Sequence, residues 1–188
     1  QAVRANPEQM QVPATWGQGR AGFGGLAVAL VFEAMRAKVP QAQLVIVGGR
    51  HEPEPRYEDE LRALVRQLSL ESAVTFAGFQ SDVPRWMQAM DVVVHASDHE
   101  PFGIVVVEAM ALGKAVVAGS AGGPAEIITP GIDGLLSPFG DAGALAERIS
   151  RFLEDPAFAA RAGAAARRRS ADFSAERYAH GVTDAVIS

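Results

Sequence analysis

Short runs of consecutive apolar residues alternate along this chain with stretches in which apolar residues recur every three or four positions. Leu44-Val45-Ile46-Val47, closed by Gly48, reads as a buried parallel strand, and Val92-Val93-Val94-His95 and Ala115-Val116-Val117-Ala118 repeat the pattern. Between them, 58–70 places Leu61, Leu64, Val65 and Leu68 at helical spacing. Ser81-Asp82 ahead of Val83-Pro84 is a helix-start signal, and 103–112 is an apolar helix entered through a Phe-Gly turn. The tail changes character: 141–153, 156–169 and 174–187 read as three consecutive helices, separated by Asp155-Pro156 and Asp172-Phe173. The alternation predicts an α/β fold, a doubly wound parallel sheet covered on both faces, with a helical C-terminal tail. The stretch 11–16 reads as a poor strand because Pro13 lies inside it.

At 188 residues and 48% hydrophobic, the chain suits one well-buried domain. A net charge of −5 with the two signs interspersed argues against nucleic acid or an anionic membrane as the main partner. Arg167-Arg168-Arg169 reads as a solvated helix end. With no cysteine, disulfides and thiolate metal sites drop out. No apolar run reaches the length of about 18 residues that a membrane span requires, which leaves the compartment open, and a cytoplasmic location is the expectation. The start lacks a Met and reads as the ragged edge of a fragment.

The chemistry concentrates in Glu100-Pro101-Phe102-Gly103-Ile104-Val105-Val106-Val107-Glu108, where two carboxylates bracket the turn that opens the apolar helix. Pro101 suits the turn, and Gly103 allows close backbone approach, so N–H groups from Phe102 to Val105 are expected to face an anion. An anion site beside two carboxylates is consistent with a sugar diphosphate, whose phosphate takes N–H donors and whose hydroxyls take carboxylate acceptors. His95 and His99 lack the spacing of a metal site, and a satisfied strand-end or loop histidine is the better reading of each. His99 nevertheless adjoins Glu100. Gly122 and Gly123 are expected to let a loop pass close to the same place.

Glu100 to Glu108 resembles the E-x7-E element of retaining, two-domain (GT-B) glycosyltransferases of the family 4 type. Val74-Thr75-Phe76-Ala77-Gly78-Phe79, Met90-Asp91 and the strand after it, Gly113-Lys114, Gly122-Gly123-Pro124-Ala125-Glu126 and Gly131-Ile132-Asp133-Gly134 follow in that family's order. The resemblance runs from about Gln43 to the end. It implies a Rossmann-like, donor-binding C-terminal half at 18–188, preceded by a divergent lead segment at 1–17, with the acceptor-binding N-terminal half absent. Glu100 is then the catalytic candidate beside the donor sugar, with His99 near it. Glu108 holds the ribose, Phe102, Gly103 and Ile104 present backbone to sugar and distal phosphate, and Gly78, Phe79 and Gln80 meet the nucleobase. The nucleotide sugar is a substrate, so no cofactor and no metal is implied. The family's diphosphate-binding Arg and Lys match only in part: Gly19-Arg20 fits the first, whereas a glycine such as Gly24 stands near the second. Lys38 and Lys114 are the only lysines, and neither falls at that position. Peripheral membrane association of the full enzyme and self-association through 174–187 are further expectations.

Three other readings compete. A nucleotide-binding or interaction module with impaired catalysis follows from the missing Lys. An epimerase on a similar scaffold fits less of the block pattern. Gly17-x-Gly19-x-x-Gly22 with Arg50 resembles an NADP fingerprint, but Pro13-Ala14-Thr15-Trp16 does not supply the apolar strand it needs.

Overall fold

The computed structural model of the chain describes residues 11–15, 31–36, 38–48, 57–97 and 100–174. Its centre is a six-stranded parallel sheet ordered β3-β2-β1-β4-β5-β6, formed by β1 (Gln11–Thr15), β2 (Gln43–Val47), β3 (Val74–Gly78), β4 (Val92–His95), β5 (Ala115–Gly119) and β6 (Leu135–Ser137). The helices are α1 (described over 31–36), α2 (Tyr57–Gln67), α3 (Val83–Gln88), α4 (Ile104–Ala111), α5 (Gly123–Ile127), α6 (Ala142–Glu154) and α7 (Pro156–Ser170), followed by a 3-10 turn at Ala171–Phe173. Strand order reverses between β1 and β4, and in such sheets ligands sit beyond the carboxyl ends of the strands at that switch.

The apolar runs form strands because both sheet faces are covered. Val92 and Val94 point into a core with Phe32, Met35, Leu61, Ile149 and Phe152, whereas Val93 points into a second core with Met87, Val106, Met110 and Ala166. Helix starts follow the sequence signals: Asp82, Asp141 and Asp155 each accept a hydrogen bond from the backbone N–H three residues on. The first two tail helices lie where the pattern places them, and most of 174–187 falls outside the described residues.

One expectation is corrected. Despite Pro13, Gln11–Thr15 is a strand at the centre of the sheet, paired with β2 over its whole length and with β4 at Ala14↔Val94. Proline deletes one donor only. The strand still pairs with β2 along its length and with β4 at Ala14, and enclosure between two strands outweighs the local preference.

α7 packs across α4 and the Gly113 turn, and Gly163 makes that approach possible. A Cβ on Gly163 would meet the Gly113 carbonyl oxygen, and its next neighbour would be the Gly113 carbonyl carbon at 3.0 Å. Alanine improves helix propensity by about 1 kcal/mol, but it cannot displace backbone. Gly163→Ala is therefore expected to destabilise the fold by about 1–3 kcal/mol. Urea unfolding with an unchanged denaturant slope checks this, and a gain in stability would refute the close packing.

Candidate active site

β4 ends at His95, and the chain re-enters a helix at Ile104, so the segment between them lies at the carboxyl edge beside the strand-order switch. Gly103 caps α4 with a left-handed φ of 81°, which glycine adopts without strain. Glu100 folds over this turn. Its Oε1 accepts hydrogen bonds from the Gly103 N–H at 2.9 Å and the Phe102 N–H at 3.2 Å, and its Oε2 lies 3.3 Å from His95 Nε2. The Phe102 and Gly103 donors, expected to face a ligand, are thus taken by Glu100 itself. The physical reason is local: a carboxylate two and three residues upstream can reach N–H groups that the helix leaves without a carbonyl. Ile104, Val105 and Val106 are first-turn donors that α4's own carbonyls do not serve, and the first bond of the helix runs from Val107 N–H to the Gly103 carbonyl.

His95 is 1% exposed. Burial lowers its pKa and outweighs the opposing pull of Glu100, so the ring is neutral near pH 7. For Glu100, burial works upward, but the N–H groups of Gly103 and Phe102 together with His95 outweigh it and hold the carboxyl below its usual range. An ionised carboxylate only accepts, so His95 carries its proton on Nε2 and donates it. A strand-end histidine with a satisfied ring is what the structure shows, and its partner is the catalytic candidate. Sequence spacing gave no signal of that contact, because the intervening loop sets it.

The β5–α5 loop closes on the same turn. Gly123 N–H donates to the Glu100 carbonyl at 2.8 Å. A Cβ on Gly122 would strike the Glu100 carbonyl oxygen and one on Gly123 the Phe102 carbonyl oxygen, so the two glycines allow the close pass expected of them.

Glu108 is exposed on α4, one turn beyond Ile104 on the same face. With Phe102, Ile104, Val107, Glu126 and Phe173 it lines a cleft of about 510 Å³. Phe102 and Ile104 are 74% and 68% exposed, unusual values for large apolar side chains at a helix start. Glu100 is not in this lining; its carboxylate is instead held on the Phe-Gly turn by the Gly103 N–H.

The loop after β3 shares the carboxyl edge of the sheet but is separated from β4 by β2 and β1. There Gly78 is left-handed with open space at its Cβ, and Phe79 is 82% exposed. Gln80 is committed to the fold, donating to the Ala77 carbonyl and accepting from Trp86 Nε1. The loop therefore offers Phe79 and backbone. Lys114 lies at the opposite edge, where Nζ donates to the carbonyls of Gln88 and Met90 at 2.7 and 2.9 Å, so it does not stand in for the diphosphate lysine. Arg20, His99, Gly24, Arg50 and Gly17-x-Gly19-x-x-Gly22 lie outside the described residues. Among the described residues no three His, Asp or Glu side chains converge as metal ligands, and no helix is long and apolar enough to cross a membrane.

Comparison with known proteins supplies the context for this geometry. The family model described as "Glycosyl transferases group 1" matches residues 27–169. The lipopolysaccharide core biosynthesis mannosyltransferase LpsB of Rhizobium meliloti is 30% identical over 76% of this chain and 42% of its own length. The corresponding LpcC of Rhizobium leguminosarum is 34% identical over 81% of this chain and 45% of its own. The chain thus spans less than half the length of these relatives. Among solved structures, Anabaena Alr3699/HepE in complex with UDP superposes with a TM-score of 0.81 at 32% identity, over 88% of this chain and 44% of that one. The C-terminal domain of a group 1 family protein, LpcC of Francisella tularensis, gives a TM-score of 0.77 at 26% identity, over 85% and 83%. The strand whose supposed weakness spoke against an NADP site is present, so the family match decides against that reading.

The pKa of His95 carries a stability signature. The unfolded chain protonates this ring near 6.5, whereas the folded chain resists until a lower pH, so stability falls as pH drops below 6.5. Glu100, depressed from 4.5, adds a loss in the same direction only below 4.5. Between about pH 7 and pH 5 the unfolding free energy should fall less in His95→Gln than in the unaltered chain. Equal falls in urea titrations at the two pH values would show that the ring is not held neutral.

Proposed function

The chain belongs to the glycosyl transferases group 1 family, with the Rossmann-like fold of the C-terminal domain of a GT-B glycosyltransferase, and from that premise we propose that it binds the donor of a retaining hexosyltransferase. The observation that carries the proposal is the β4–α4 turn, which sets an ionised, oriented Glu100 beside the N-terminus of α4 with Glu108 one turn along. A nucleoside-diphosphate sugar would place its distal phosphate at the Ile104 and Val105 N–H groups, where the positive end of the helix dipole favours anions. Glu108 would accept from the ribose diol, and the Phe79 loop would border the base. Glu100 would accept from hydroxyls of the sugar.

In the transfer itself the bond between the anomeric carbon and the diphosphate oxygen breaks, with its electron pair leaving on that oxygen. The acceptor oxygen bonds to the same face of the carbon, and its proton passes to the leaving phosphate. Donors aimed at the phosphate stabilise the charge as it develops. The depressed pKa of Glu100 makes it a weak base, which supports a role as a hydroxyl-orienting acceptor rather than a proton carrier. No step in this scheme is routed through a metal or cofactor. The acceptor would bind mainly to an N-terminal half, and we place the enzyme in the cytoplasm.

A second reading, a donor domain with impaired turnover, is favoured by one observation: Lys114 is bound to backbone at the far sheet edge, so it does not replace the missing diphosphate contact. Loss of one charge-assisted phosphate contact is worth about 1.5–3 kcal/mol, enough to cost tenfold or more.

Calorimetric titration with UDP, GDP and ADP tests the assignment. One nucleotide should bind, and Glu108→Ala should weaken it by about tenfold. In a chain joined to an N-terminal half, Glu100→Ala should lower kcat by at least about a hundredfold while nucleotide affinity stays within about threefold. Binding without turnover in the joined enzyme would favour the impaired module, and no binding at all would sink both readings.

A further inference from the structure

The least expected polar group in the second core is His95. Residues two apart on a strand share a face, so His95 lies on the side of Val93, which packs against α4. An imidazole so deeply buried costs free energy unless it is hydrogen-bonded, and a leucine or valine would fill the position without that cost. Through Nε2 it bonds to the β4–α4 turn, at Glu100 Oε2.

Lone-pair counting shows what that bond does. A carboxylate offers about four acceptor positions. Oε1 receives both the Phe102 and the Gly103 N–H, and Oε2 receives His95. Counted among the described residues, the remaining acceptor position is on Oε2, and the direction in which it points is set by the histidine. At 3.3 Å the contact is longer than the usual mode of about 2.9–3.0 Å, so its effect is orientation more than binding strength.

We infer that His95 is a positioning residue for the donor sugar, its buried Nε2–H holding Glu100 so that the open Oε2 lone pair meets a sugar hydroxyl. The inference rests on the donor-site reading above and adds to it a residue that does not touch the donor. Replacing His95 therefore leaves the nucleotide's own contacts intact and removes the extra affinity contributed by the sugar. Glutamine can present an amide N–H at nearly the same place as imidazole Nε2, and leucine cannot.

The test compares a nucleoside diphosphate with its glucose and mannose conjugates, taking whichever of UDP, GDP and ADP binds. In His95→Leu the affinity for the diphosphate should stay within about twofold, while the increment added by the sugar falls about tenfold; His95→Gln should retain most of it. In a Glu100→Ala background, His95→Leu should cause no further loss, because the two residues act as one unit. An unchanged sugar increment in His95→Leu, or equal weakening of diphosphate and conjugate, overturns the inference while leaving the donor site standing. Failure of every diphosphate to bind the unaltered chain overturns the donor site and this inference with it. Nitrogen-detected NMR of the histidine rings needs no ligand: His95 should show the Nε2–H tautomer near neutral pH, and its titration should move lower in Glu100→Gln. A Nδ1–H tautomer, or a titration indifferent to Glu100, would overturn the contact itself.

Discussion

Gly123 donates its N–H to the carbonyl of Glu100, and that backbone contact holds the β5–α5 loop against the turn that leaves β4. The approach is possible only because neither Gly122 nor Gly123 carries a Cβ, which would overlap the Glu100 and Phe102 carbonyls. With the loop in place, Glu100 has little room to move its main chain. Its side chain folds over Phe102 and Gly103, and α4 begins from a fixed angle. The position of Glu108 on the exposed face follows from that start, since each helical residue advances about 1.5 Å along the axis. The candidate site is thus set by backbone against backbone, which is stiffer than any arrangement of long side chains.

The electrostatics follow from the same geometry. Glu100 is only partly buried, yet two N–H groups and a neutral imidazole stabilise its charged form more than desolvation opposes it. His95 shows the reverse balance, because its ring is enclosed and burial dominates. The pair is therefore a neutral donor on a charged acceptor, which favours fixed orientation over proton exchange. Such preorganisation suits a reaction in which the large change in charge occurs on a departing phosphate rather than on the carboxylate. Lys114, by contrast, spends its charge tying the end of α3 to the start of β5, far from that chemistry.

Much of the fold was legible from one property, the covering of a parallel sheet on both faces. Strands such as Val92–His95 and Ala115–Gly119 are buried at every position, and apart from His95 they are runs of small or apolar residues that stand out against helices with one apolar stripe. Asp82, Asp141 and Asp155 mark helix starts because a carboxylate can serve N–H groups that the helix leaves orphaned. Gln11–Thr15 was misread because the penalty of Pro13 is local and visible, whereas its compensation comes from β2 and β4, which are distant in sequence.

The site divides along the same line. Glu100, the Phe-Gly turn and Glu108 lie within a single short segment, so their types and spacing point to an anion and hydroxyls without any knowledge of the fold. The sequence by itself determined which groups are available and the helix that carries them, since those depend on neighbours a few residues apart. Tertiary structure decided where the groups point: that Phe102 and Gly103 donate to Glu100, that His95 lies beneath it, and that Gln80 and Lys114 are committed elsewhere. The reason is that a hydrogen bond needs its partners within a few tenths of an ångström. Loops such as β4–α4 and β5–α5 acquire that precision only when the sheet brings their ends together.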